Sequence, residues 1–220
     1  LSCPVTVFQD THVMIFIGFG FLMTFLRRYG FSSISINLLL ACATIEWGII
    51  VRGLVSHGFA ATGKFTLNLE QLLTADFAAA VILISMGAML GKLSPVQYVI
   101  MALIETPAAI LTEHYLVHSW KINDIGGSIV VHIFGAYFGL ACARAFAKKE
   151  QREYQHEGSV YHTDLFAMIG ALFLWVFWPS FNAAVAEPAD ARHRAIMNTF
   201  LALVGCTITT FIVSQTLDHK

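Results

Sequence analysis

Charge is what this sequence has least of. Of 220 residues only 12% are Asp, Glu, Lys or Arg, while 57% are apolar. A water-soluble domain carries about 25% charged residues, so this chain cannot cover a hydrated surface of its size. That shortage excludes a disordered chain, a cytosolic enzyme and a nucleic-acid binder with a basic face. The formal net charge of −1 gives no bulk attraction to partners of either sign. Cysteine is also scarce: Cys3, Cys42, Cys142 and Cys206 show no metal-ligand spacing, and three of them sit in apolar runs. Neither a disulfide framework nor a metal site is expected. There is no Asn-x-Ser/Thr acceptor and no catalytic motif, so no enzyme and no cofactor are expected either. The chain opens on Leu1 rather than Met and stops at Lys220 just after an apolar stretch, which reads as a piece of a longer protein.

What is abundant is apolar sequence in membrane-sized lengths. Seven stretches can be read, over 12–26, 35–55, 73–91, 96–118, 125–146, 165–186 and 195–216. The expected fold is therefore an all-α polytopic membrane protein, and residues 1–220 form one transmembrane domain. Small residues recur inside the stretches (Gly18, Gly20, Gly87, Ala88, Gly135, Gly139), as close helix packing in lipid requires. With residue 1 outside, eight basic residues fall inside, led by Arg27-Arg28 and Lys148–Arg152, against five outside. The first and sixth stretches both open with Asp-x3-Met-Ile, at Asp10 and Asp164. Five helices separate the two, so they enter from opposite faces, as an inverted repeat demands. On that reading residues 1–146 are a first five-helix repeat and 164–220 the start of a second.

Ionisable residues inside such stretches cost a few kcal/mol or more and need a reason. Asp124 precedes Ile125-Gly126-Gly127-Ser128 and suits the capping of free amides in the first turn of the fifth helix. His132 lies eight residues further on, a helical rise of ~12 Å that brings it near mid-depth. A packed histidine bonded to a neighbouring helix and a site for a small polar molecule are both open readings. Phe77 and Phe181 fall at a common level, each ~6 Å from the outer face, where an apolar gate could exclude hydrated ions. With 18 Phe in the chain, such a coincidence also arises by chance. Glu113 sits near the outer end of the fourth helix and Asp76 is placed as a cap of the third. Glu46 and Glu105 fall near mid-depth with no evident role.

Three motifs then carry a resemblance. The run Asp-Thr-His-Val-Met-Ile-Phe-Ile-Gly-Phe-Gly at 10–20, His-Ile-Phe-Gly-Ala-Tyr-Phe-Gly-Leu at 132–140 and the segment 164–182 ending Trp-Pro-Ser-Phe-Asn resemble the Rhesus glycoproteins, the animal branch of the ammonium transporter/Rh superfamily. The runs at 184–190 and 195–200 look most like the type A subgroup. The resemblance implies about seven helices of an eleven- or twelve-helix fold with an inverted repeat, in a plasma-membrane homotrimer or mixed trimer. It implies a narrow pore in each subunit for ammonia or ammonium, with carbon dioxide as a second passenger. By motif, Phe77 and Phe181 match the outer gate and His132 the first of two facing pore histidines. Asp124 matches the acid that supports substrate recruitment, and Glu113 an acid of the outer vestibule. Asn182 follows the gate Phe as in the family, whereas Thr74 stands where Asn is usual. The second pore histidine belongs to a later helix.

Two rivals are weighed against this. A seven-helix receptor is disfavoured because Gly91-Lys92-Leu93 stands where an acid-Arg-Tyr motif belongs, and no Asn-Pro-x-x-Tyr occurs in the last stretch. A non-conducting scaffold subunit, like the blood-group Rh polypeptides, is opposed by the presence of His132, which those chains lack.

Overall fold

A computed structural model describes residues 4–147 and 158–217. Lys148, Lys149, Arg152 and Lys220, which weigh in the orientation count, lie outside the described residues, as does Cys3. Among the described residues, seven helices are long and apolar enough to cross a membrane: α1 Val5–Leu22, α2 Gly30–Val55, α3 Leu69–Met89, α4 Pro95–Ser119, α5 Ser128–Ala145, α6 Tyr161–Ala183 and α7 Ala189–Leu217. A short helix, His57–Thr62, follows the C-terminal end of α2. No strand occurs among the described residues. The all-helical, seven-span architecture expected from hydropathy is the one observed.

Local chemistry explains where several helices start. In lipid the backbone must satisfy its own polar groups, so helix ends are closed with care. Asn68 accepts from the Gln71 N–H while the Gln71 side chain accepts from the Asn68 N–H, a reciprocal cap that starts α3. Ser94 and Gln97 do the same for α4, with Pro95 in the first turn. Three helices widen by a π turn, over Met14–Gly18 in α1, His114–Ser119 in α4 and Ser128–Ile133 in α5. Such turns free carbonyls for other partners; the Asn37 amide of α2 donates to the Ile15 carbonyl at 3.1 Å.

Several boundaries differ from expectation, three of them at residues that bear on the site. α1 is expected over 12–26, with Asp10-Thr11-His12 at its start. It begins instead before them, and Asp10 and His12 find partners on other helices. α5 starts at Ser128 rather than 125, since Asp124–Gly127 is a turn with Gly127 at φ +70°. Asp76 is not a cap: it lies in the middle of α3, whose cap is Asn68.

The helices pack around α3, which contacts α1, α2, α4 and α5, while α1 is wedged between α3 and α6. The α1–α6 pair is antiparallel, with Asp10 beside Ser180 at one end and Thr24 beside Thr163 at the other. At Gly170 the two backbones come so close that a Cβ would fall 2.1 Å from the Leu22 nitrogen and 2.6 Å from the Gly18 carbonyl oxygen. α7 rests on α6, and none of its residues is buried.

Candidate functional site

A cavity of about 600 Å³ opens between the ends of α2, α3 and α4 and the turn that leads into α5. Arg52, Glu70, Glu113, His114, His118 and Asp124 are among the side chains around it. A smaller cavity of about 120 Å³ adjoins it and turns apolar, lined by Phe77, Ala78, Val81 and Val131 below Asp124 and Glu113. The polar mouth thus narrows onto a phenylalanine.

Asp124 is held by the chain it caps. Its Oδ2 accepts from the Ile129 and Val130 N–H groups, both at 2.9 Å, so one carboxylate oxygen satisfies two otherwise free amides of α5. The two glycines of the turn serve different ends. Gly127 takes the left-handed conformation, while at Gly126 a Cβ would stand 2.9 Å from Asn182 Oδ1. Asn182 in turn donates to Thr199 Oγ1 at 3.2 Å, linking α6 to α7.

Glu113 lies in the mouth wall as expected, but it is not a free charge. The Arg52 guanidinium donates to both of its oxygens, at 3.0 and 2.7 Å. Such a bidentate pair cancels most of the field that either group would project into the cavity. Arg52 was legible only as one basic residue on the outer side, because nothing in the sequence links positions 52 and 113.

Phe77 and Phe181 meet, with ring centroids 4.7 Å apart and planes tilted by 55°. α3 starts four residues earlier than its expected boundary at 73, so Phe77 stands eight residues along the helix. Phe181 lies close to the end of α6, and the levels still coincide. Phe181 is 1% exposed. Trp178, one helical turn earlier, stacks flat on it at 4.8 Å. Tryptophan at the i−3 position to a candidate gate residue was the available signal for this third ring.

His132 lies directly beneath, its ring 5.9 Å from Phe181 and 5.3 Å from Trp178. It belongs to the π turn that opens α5, and its Nε2 is buried with no hydrogen-bond partner among the described residues. A buried ring nitrogen without a partner forfeits the bond that water would have made, at a cost of about 1–3 kcal/mol. Asp124, Glu113 and Phe77 thus line the smaller cavity, Phe77 touches Phe181, and Phe181 touches His132. Glu46 is exposed on α2, and Thr74 lines both cavities. Glu105 is fully buried and hydrogen-bonded to the Ser85 hydroxyl, whose oxygen also lies 2.8 Å from the Gly135 carbonyl. No group of His, Cys, Asp and Glu among the described residues has the geometry to hold a metal ion.

Comparison with known proteins follows the same lines. The chain is 48% identical over 216 residues to ammonium transporter Rh type A of Rattus norvegicus, covering 97% of this chain and 47% of that protein. It is 50% identical over 214 residues to ammonium transporter Rh type B-B of Xenopus laevis, covering 97% of this chain and 46% of the relative. The solved structure of Nitrosomonas europaea Rh50, of the Rhesus protein family of channels, superposes with a TM-score of 0.85 at 34% identity, over 96% of this chain and 56% of that one. The chain thus spans about half the length of the relatives it matches. The model of the Ammonium Transporter Family matches residues 1–220. With that match, the seven-helix fold and the likeness to Rh50, the chain belongs to the ammonium transporter family, in its Rh-type branch.

Proposed function

We propose that this chain forms the first part of an Rh-type pore that takes up ammonium at the mouth and passes ammonia inward. The observation that carries the reading is His132: a buried, unpartnered Nε2 directly below a pair of touching phenylalanines. An ammonium ion entering the apolar segment would lose its hydration shell at a cost far above thermal energy. Transfer of one proton to vestibule water leaves neutral ammonia, for which the barrier is small. Aromatic faces of Phe77, Phe181 and Trp178 favour the cation up to the point of deprotonation. Beyond them His132 offers a hydrogen-bond partner where no other is at hand. Asp124 and Glu113 form the recruiting side of the mouth, with Glu113 tempered by Arg52.

Its own Nε2 then calls for a facing partner, which we assign to a histidine in a later helix of the second repeat. The same reading places residue 1 outside the plasma membrane, in a homotrimer or a mixed trimer with other Rh subunits, with carbon dioxide as a second passenger. The test is uptake of ammonium by cells that express the complete protein, comparing wild type with His132→Ala at matched surface abundance. Flux is expected to fall about tenfold, in line with one lost transfer-path hydrogen bond. Unchanged flux would remove the histidine from the path and favour a scaffold role.

A further inference from the structure

We propose that Asp10 and His12 of α1 are positioning residues that clamp α3 and α6 at the spacing the Phe77–Phe181 pair requires. The proposal rests on the pore reading above. The residue immediately before each ring is tied to α1. Asp76, next to Phe77, meets His12, whose Nδ1 lies 3.2 and 3.1 Å from its two carboxylate oxygens. Ser180, next to Phe181, donates to Asp10 Oδ2 at 2.5 Å. Two residues on a helix are about 200° apart around the axis, so Asp10 and His12 point to opposite sides. α1 lies between the two helices that carry the rings. A closed circuit results: Phe77, Asp76, His12, Asp10, Ser180, Phe181 and back through the 4.7 Å ring contact.

The physical need for such a clamp lies in the rings themselves. Aromatic contacts are shallow and tolerate centroid separations of about 4.5–7 Å, so two phenylalanines do not define their own spacing. Hydrogen bonds hold donor and acceptor within a few tenths of an ångström and do define it. Holding α1 against α6 does not itself require polar groups, because Gly18 and Gly170 already bring the backbones together. Yet Asp76 is 1% exposed, a costly place for a carboxyl group unless its bond does something. The His12 ring is fixed in turn by Phe8 and Phe16, at centroid distances of 5.1 and 4.7 Å. The geometry serves whether Nδ1–H donates to the carboxylate or a carboxylic acid donates to Nδ1.

The experiment uses the complete protein and two readouts. The first is the ratio of ammonium to methylammonium uptake, which a gate of set width controls and abundance does not. The second is the Phe77–Phe181 separation in cryo-electron microscopy maps. Ser180→Ala and His12→Ala are expected to lower the uptake ratio by about threefold or more and to widen the ring separation beyond 4.7 Å. Asp10→Asn keeps an acceptor for Ser180, and His12→Asn keeps a donor near the Nδ1 position; both are expected to retain the wild-type ratio. Ser180→Ala removes a single hydroxyl, so it reports even where His12→Ala does not reach the membrane. Wild-type ratio and spacing in Ser180→Ala would overturn the clamp, as would equal losses in Asp10→Ala and Asp10→Asn. A wild type that carries neither substrate would overturn the pore reading instead, and the ring separation would still decide the clamp.

Discussion

A carboxyl group among membrane helices costs several kcal/mol unless it is paired or hydrated, and the acids of this chain meet that cost in different ways. Asp124 accepts from two backbone N–H groups of α5, Glu113 accepts from the Arg52 guanidinium, and Asp76 pairs with the His12 imidazole. Glu105 takes the Ser85 hydroxyl, and its second oxygen finds no partner among the described residues. Of these, the Arg52–Glu113 pair bears most directly on substrate. Both side chains are about a quarter to a third exposed, at 24% and 31%, and both line the cavity, where each masks the other's charge. Arg52→Gln would leave Glu113 as an uncompensated anion at the mouth. The apparent KM for ammonium is expected to drop about two- to fivefold at low ionic strength, and the difference to shrink in 0.15 M salt. Uptake against concentration at two ionic strengths checks this; an unchanged KM would mean the mouth's potential is set elsewhere.

At the scale of elements, the α1–α6 contact governs the site, since it joins the clamp to the helix that carries Phe181. Lipid offers apolar side chains no incentive to leave it, so such contacts depend on close backbone approach and hydrogen bonds. At Gly170 an added methyl would meet main-chain atoms of Gly18, Phe21 and Leu22, none of which can rotate away. Gly170→Ala is expected to destabilise the folded protein by about 3 kcal/mol or more, the upper range for overpacking. Gly205→Ala on α7, whose Cβ would meet nothing within 4 Å, is expected to be neutral. Retention of the folded peak after heating, in detergent size-exclusion runs, compares the two; equal behaviour would show that α1 and α6 separate at little cost. The small residues themselves were visible as a pattern in the sequence. Which of them face backbone was not, because that depends on the rotation of one helix against another.

At the scale of the whole molecule, the described residues leave apolar helix faces uncovered. α6 and α7 present large exposed apolar surfaces, α7 has no buried residue, and His132 Nε2 faces no partner. The chain covers 47% of the rat Rh type A protein and 56% of the Rh50 chain, so the relatives carry further sequence that can lie against these faces. A polypeptide of residues 1–220 expressed alone is therefore expected to show no ammonium uptake above control cells, while the complete protein does. Uptake by the short form would mean that the path from the mouth past His132 needs no second half.

Membrane class, the number of spans, the Asp124 cap, and the candidate roles of Phe77, Phe181 and His132 were all legible along the chain. Each depends on composition, on spacing within one helix or on a motif, which are local properties of sequence. The exceptions share one cause. Asp10 and His12 read only as the opening of the first helix, Asp76 as a cap, and Glu113 as a vestibule charge. Their partners, Ser180, Asp76 with His12, and Arg52, stand 170, 64 and 61 positions away. A polar group's partner across such distances is chosen by how whole helices pack, and an electrostatic role is known only once that partner is.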